Sequence, residues 1–219
     1  MKSLFWIVLT PALLASAAAR PATESRAATT VRSAPAPASP TPGTYSLDPP
    51  HTFVYFAARH LVVGMVRGRF DRISGTLVVA KNLADCSVDV TIDAASLSTQ
   101  NTTRDDDLRS AAFFDAEKFP TATYRGHGIR RSGDGWAMNG VLTIRGVSKV
   151  VPLSFKFDGT APAVADQPSR IAFQGTAAVK RADFNMTRDL LSEIGTQSAA
   201  PDVWLEINAE ALAADKSKP

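Results

Sequence analysis

Three histidines, one cysteine and a run of three aspartates are the residues of this chain best equipped for chemistry. His51, His60 and His127 do not fall at the His-x-x-x-His spacing, with a carboxylate partner, that holds a transition metal. His51 sits in a Pro-flanked turn and His127 between two glycines, so each reads as structural or exposed. Cys86 is the only cysteine. It can form no internal disulfide, and no neighbouring base is present to activate its thiol, so a small buried hydrophobe at the start of a strand is its expected role. Asp105, Asp106 and Asp107 lack the ligand alternation of a calcium loop. There is no Gly-x-Ser-x-Gly elbow, phosphate loop or dinucleotide fingerprint, and no carboxylate spacing that points to sugar hydrolysis. The expectation is a protein with no catalytic residues, no metal and no cofactor.

The aspartates belong to the stretch around which the folded region is built, Gln100 to Pro120. Asn101 or Thr102 can cap a helix N-terminus, placing Asp105, Asp106 and Asp107 in a first turn where the helix dipole favours carboxylates. Arg109 lies nearer the other end, and Leu108, Ala111 and Ala112 follow at helical spacing. Phe113, Phe114 and Phe119 then come close together and Pro120 stops the segment. One short helix and an aromatic plug result, in a chain that otherwise reads as strand. Arg104 and Arg109 have two roles open: contact with a ligand oxygen, or ion pairs with strand-end acids such as Asp93 or Asp71.

Residues 1–19 read as a signal peptide, with Lys2 ahead of an apolar run from Leu4 to Leu14 and a small-residue cleavage site near Ala19. The apolar run is short for a membrane span and is broken by Pro11. Residues 20–43 form an Ala/Pro/Ser/Thr-rich linker, residues 44–213 one domain and residues 214–219 a polar tail. The pI of 9.2 suggests nucleic-acid binding until the charge is located. From Thr44 onward the chain has 20 Lys and Arg against 20 Asp and Glu. The excess lies in the leader and linker, and a neutral domain argues against phosphate-backbone binding.

Within the domain, period-two alternation dominates. Val88, Val90 and Ile92 face away from Asp89, Thr91 and Asp93. Trp136, Met138, Gly140, Leu142 and Ile144 share a face, as do Leu153, Phe155 and Phe157, then Ile171, Phe173, Gly175, Ala177 and Val179, then Val203, Leu205, Ile207 and Ala209. About eight strands at hairpin spacing, with no βαβ alternation, give an all-β domain. Periodicity alone leaves both a closed barrel and a filled two-sheet sandwich open.

Several motifs carry a resemblance. Arg104, Asp105, Leu108, Arg109, Ser110, Phe113, Phe114, Asp115, Phe119 and Pro120 resemble the signature of the YceI-like family, whose pattern runs Arg-Asp-x-His-Leu-Arg-Ser and then an acidic Phe-Phe turn ending in Phe/Tyr-Pro. Asp107 stands where His is frequent. Asp48, Pro49, His51, Val66 to Phe70, Gly140 to Ser148 and Lys180 to Asn185 resemble further family elements, with Asn185 in place of a Gly. The resemblance implies an eight-stranded antiparallel lipocalin-like barrel, with the short helix and aromatic segment between strands, in an exported bacterial protein that binds polyisoprenoid lipid. It favours Val54, Phe56 and Ala58 as inward and Phe53, Tyr55 and Arg59 as outward.

The candidate wall of an apolar tunnel is Val54, Phe56, Val88, Val90, Ile92, Phe113, Phe114, Phe119, Tyr124, Leu142, Ile144, Phe155 and Phe173. His60, Arg104, Asp105 and Arg109 are the candidates for touching a head group or pinning the helix. The expected ligand is a polyisoprenoid or isoprenoid quinone, held without catalysis in the periplasm or secreted medium. The expected partners include no nucleic acid, and the mature protein is expected to have no transmembrane span; a homodimer is left open. Two other functions are compatible with the sequence: a packed envelope interaction domain without lipid, and an envelope enzyme depending on His60, Arg104 or Asp105.

Overall fold

The computed structural model describes residues 40–60, 63–186 and 199–214. The expected signal peptide, residues 20–39 of the expected linker and residues 215–219 of the expected tail lie outside the described residues. The period-two segments form eight antiparallel strands that close on themselves. β1 runs as two segments, Gly43–Leu47 and Phe53–His60, and β2 as Gly64–Phe70 and Ile73–Val79. β3 comprises Ser87–Asp93 and Leu97–Ser98, β4 Thr121–His127 and Arg130–Ser132, and β5 Gly135–Ile144. β6 is Val147–Ala161, β7 Arg170–Lys180 and β8 Ala199–Ala213. Each strand pairs with its sequence neighbour, and β8 returns to β1 through Tyr45↔Ala213 and Val54↔Ile207, so no open sheet is left. This geometry selects the barrel over the sandwich.

Turn chemistry fixes the register. Arg145 (φ 51°) and Gly146 (φ 73°) form the two left-handed positions of a tight hairpin between Ile144 and Val147, the turn whose twist matches that of paired strands. Asn185 takes the left-handed conformation expected of it (φ 58°) at the end of a 3-10 turn, Arg181–Phe184.

Three neighbouring strands break at one level. A 3-10 turn, Pro49–His51, interrupts β1, Asp71 and Arg72 interrupt β2, and a second 3-10 turn, Ala94–Ser96, interrupts β3. The backbone groups freed by the breaks find new partners. Thr52 Oγ1 donates to the Glu210 carbonyl (3.0 Å), Asp71 N–H to the Ser96 carbonyl (3.2 Å) and Arg72 N–H to Ser96 Oγ (3.0 Å). These bonds tie the creased wall together across the breaks.

The helix α1, Thr102–Arg109, is shorter than the sequence spacing suggests. Asn101 is the cap, accepting from Arg104 N–H at 3.0 Å. Ser110 ends the helix by adopting an extended backbone and donating its hydroxyl to the Asp107 carbonyl (2.6 Å). Ala111 and Ala112 consequently fall in turns beyond it, and of the three aspartates only Asp105 lies in the first turn. Cys86 is buried just before β3, with its thiol against Ala80.

Two glycines let bulky side chains lie flat on the inner wall. Gly126 and Gly140 face each other across β4 and β5, and a Cβ at Gly140 would overlap the Tyr124 ring. The Tyr124 hydroxyl is tied to the Val151 carbonyl (3.1 Å), so the ring cannot swing aside freely. Replacing Gly140 with Ala is expected to lower unfolding stability by about 1–3 kcal/mol, read as a reduced urea midpoint with unchanged slope.

Candidate functional site: an apolar lumen

The inward faces meet without filling the barrel. A cavity of about 690 Å³ opens at the end where β1 begins, and a second of about 200 Å³ lies toward α1. Val54, Ile92, Leu142 and Leu205 border both, as a waist that separates a wide and a narrow lobe of the barrel interior. Val88, Val90, Phe155, Phe157 and Phe173 point into the wide lobe yet are only half-buried, because no neighbour fills the space before them. Phe173 contacts both Phe155 and Phe157 edge-on or tilted, with centroids 6.1 and 5.5 Å away. Pro40, Thr41 and Pro42 border the wide mouth, and Tyr45 donates its hydroxyl to the Thr41 carbonyl at 2.7 Å. Among the residues lining this lobe only Lys81 carries a charge.

The narrow lobe is closed by the helix and the aromatic plug. Phe56 stacks obliquely on Phe70, and Phe70 meets Phe114 edge-on, each at 5.5 Å. Phe113, Phe184 and Met186 are buried behind them. α1 carries little apolar surface, so polar bonds hold it down. The buried Asp105 carboxylate accepts from Thr99 N–H (2.8 Å) and Thr99 Oγ1 (2.6 Å). Arg104 Nε donates to Thr99 Oγ1 (2.7 Å) and its Nη2 to the Thr99 carbonyl (3.1 Å). Arg109 reaches back to the carbonyls of Ala95 (3.0 Å) and Leu97 (2.6 Å) at the crease of β3. The alternative pairing with Asp93 or Asp71 is not formed. Asp93 accepts from Arg72 and Asp71 from Arg69, because each acid has a nearer arginine at its own strand end.

The lumen gathers most of the expected wall. Val54, Val88, Val90, Ile92, Tyr124, Leu142, Phe155 and Phe173 line the wide lobe, and Phe56, Phe113, Phe114 and Ile144 the narrow one. Phe119 does not join them; it covers Gly146 at the β5–β6 turn, with Lys118 Nζ 5.2 Å from its ring centre. Of the polar candidates, His60 and Arg104 border the narrow lobe, whereas Asp105 and Arg109 pin the helix. Arg59, expected to face outward, also borders the narrow lobe, since a long side chain at a strand end can curl round the rim. Asp107 and Arg181 stand there too. Asp107 occupies the motif position where His is frequent, which is the sequence signal for its place at this lobe.

One polar cluster lies elsewhere. Asp48, His51 and Glu210 bring ligand-type atoms within 4.8 Å of one another across β1 and β8, an arrangement no sequence spacing suggested. Arg170 Nη1 already bridges it, 2.7 Å from Glu210 and 3.4 Å from Asp48, and serves as the cluster's cation. Burial in the apolar wall pushes the Tyr124 hydroxyl up to about 12, so it stays neutral across the physiological range. Among the described residues no helix is long and apolar enough to cross a membrane.

This lumen can hold a slender apolar molecule, and the chain's relatives share the fold that forms it. The profile of the YceI-like domain matches residues 45–211. The chain belongs to the YceI-like family. A UPF0312 protein of Pectobacterium atrosepticum is 35% identical over 166 residues, covering 74% of this chain and 81% of that protein. Protein YceI of Salmonella newport is 37% identical over 144 residues, covering 64% and 73%. Among solved structures, the Campylobacter jejuni YCEI protein superposes with a TM-score of 0.60 at 32% identity, covering 72% of this chain and 90% of that one. A polyisoprenoid binding domain from Saccharophagus degradans superposes at 0.58 with 19% identity, covering 78% and 98%, which shows a common fold.

Two outcomes follow for this YceI-like domain. Asp105→Ala strips a buried N–H of its acceptor and loosens Arg104, and is expected to lower stability by about 1–3 kcal/mol in thermal or urea unfolding. Tyr124 ionises later in the folded than in the unfolded chain, so its contribution to stability is complete below pH 10 and is lost as pH rises toward 12. Alkaline unfolding followed by circular dichroism should show that loss, and Tyr124→Phe should reduce it.

Proposed function

We propose that the lumen binds a single isoprenoid chain, a polyisoprenoid or isoprenoid quinone, and that the protein stores or carries it in the bacterial envelope without catalysis. The observation that carries this reading is the hollow interior: the wide lobe is about 690 Å³, within the roughly 300–1,000 Å³ usual for ligand sites, and its lining is almost wholly apolar. Each buried CH₂ contributes about 0.8 kcal/mol, so a few isoprene units offset the loss of freedom on binding. The relative from Saccharophagus degradans, described as a polyisoprenoid binding domain, gives fold-level support. Export follows from the leader-like residues 1–19.

The packed interaction domain does not account for the unfilled lumen. Of the residues on which the enzyme reading depends, Asp105 is taken up by Thr99, as are two nitrogens of Arg104, which leaves His60 at the narrow lobe. Solvent extraction of gently purified protein, followed by mass spectrometry, is expected to release an isoprenoid at near one per chain. An empty extract, repeated after incubation with prenyl lipids and quinones, would refute the proposal. Phe155→Asp places a carboxylate in the wall of the wide lobe and is expected to cut uptake at least about tenfold while the protein remains folded.

A further inference from the structure

The glycines of the inner wall are of two kinds. At Gly126 and Gly140 the place of a Cβ is already taken, by the Met138 thioether and the Tyr124 ring. Gly175 is different. A Cβ there would meet nothing closer than Leu153 Cδ1 at 3.3 Å, the Ser154 carbonyl oxygen at 3.4 Å and Phe155 Cβ at 3.6 Å. The nearest of these is the end of a half-buried side chain, which can give way. Among the described residues that line the wide lobe, Gly175 is also the only glycine. No protein side chain uses the space over it.

The register places that space. Gly175 pairs with Phe155 on one side and Ile207 on the other, and Ile207 pairs with Val54 of the waist. Two residues further along β7, Ala177 pairs with Leu205, which also belongs to the waist. Two residues back toward the mouth, Phe173 pairs with Phe157. The phenylalanines thus give way to the two smallest side chains of this face as β7 approaches the waist, and the inner end of the wide lobe has a low floor.

We infer, building on the isoprenoid reading, that this floor receives the far end of the bound chain and that Gly175 sets how long a chain the wide lobe accepts. A prenyl chain carries a methyl branch on each unit, so it is broader than a straight chain and needs width where it runs up against the waist. Gly175 and Ala177 supply that width, with Phe155 and Phe173 as flat apolar flanks. A leucine at Gly175 would fill the last part of the path. Displacing two or more chain carbons costs about tenfold in affinity.

Calorimetric titration of purified protein with geraniol, farnesol and geranylgeraniol, each below its aggregation limit, tests this. Affinity of the unsubstituted protein is expected to rise along the series. Gly175→Leu is expected to weaken geranylgeraniol at least about tenfold more than geraniol, so that the rise flattens. Gly175→Ala carries the same test with a smaller group and a smaller loss. It is expected to keep the melting temperature of the unloaded protein, in contrast to Gly140→Ala. A folded Gly175→Leu protein that weakens every chain equally, or none, would overturn the inference. So would a melting temperature lowered as far by Gly175→Ala as by Gly140→Ala, because the space would then belong to the wall. Decanol and hexadecanol serve as unbranched probes. If they bind and the prenols do not, the isoprenoid reading falls, and the effect of Gly175→Leu on the two straight chains decides the role of Gly175 by itself. Binding of no probe by the unsubstituted protein would remove both.

Discussion

A barrel whose interior is not filled must be held together by its wall and its ends. The half-buried phenylalanines and valines of the wide lobe contribute less burial than a packed core would give them, so hydrogen-bonded closure has to do more. That constraint explains where the buried polar residues are. Thr52 and Asp48 sit at the β1–β8 seam, where Arg170 ties Asp48 to Glu210 across the closing pair. Thr99 and Asp105 sit at the narrow end, where they moor a helix too polar to dock by its own face. Ser96 sits at the crease, accepting from β2 and giving its hydroxyl to the Asp93 carbonyl.

The crease and the waist belong to one feature. The three breaks in β1, β2 and β3 lie beside one another, and Val54, Ile73 and Ile92 flank them. Val54 and Ile92 are waist residues, and Ile73 is buried beside them in the wide lobe. A continuous strand would carry its alternation through at constant radius. Broken strands let the wall turn inward, dividing the lumen into an apolar lobe and a smaller one rimmed with charge.

Much of this was legible in the sequence, for a physical reason. Strand faces repeat every two residues, so Val88, Val90 and Ile92, or Leu142 and Ile144, reveal their side of the wall without any tertiary knowledge. What alternation does not encode is whether facing sheets touch, and only the family motifs, Arg104–Pro120 together with those between Asp48 and Asn185, pointed to a barrel. The charged rim was least legible. Arg59 and Arg181 stand more than a hundred positions apart and border one cavity because β8 closes on β1. Local spacing was also misleading at α1, where Ala111 and Ala112 continue a helical rhythm that the Ser110 cap ends. Phe119 looked like its neighbours in composition, but the turn at Gly146 claimed it.

The hollow also makes volume a thermodynamic quantity for this protein. Unfolding eliminates the internal void, so the unfolded chain with its water occupies less space than the folded one, and compression favours the smaller state. An empty lumen lined by Phe155, Phe157 and Phe173 hydrates poorly, which makes the unloaded barrel soft to hydrostatic pressure. A molecule that occupies the same space removes the void before unfolding begins. Cargo in this architecture would thus act as a missing piece of the core, and the barrel's resistance to compression would report whether that piece is in place.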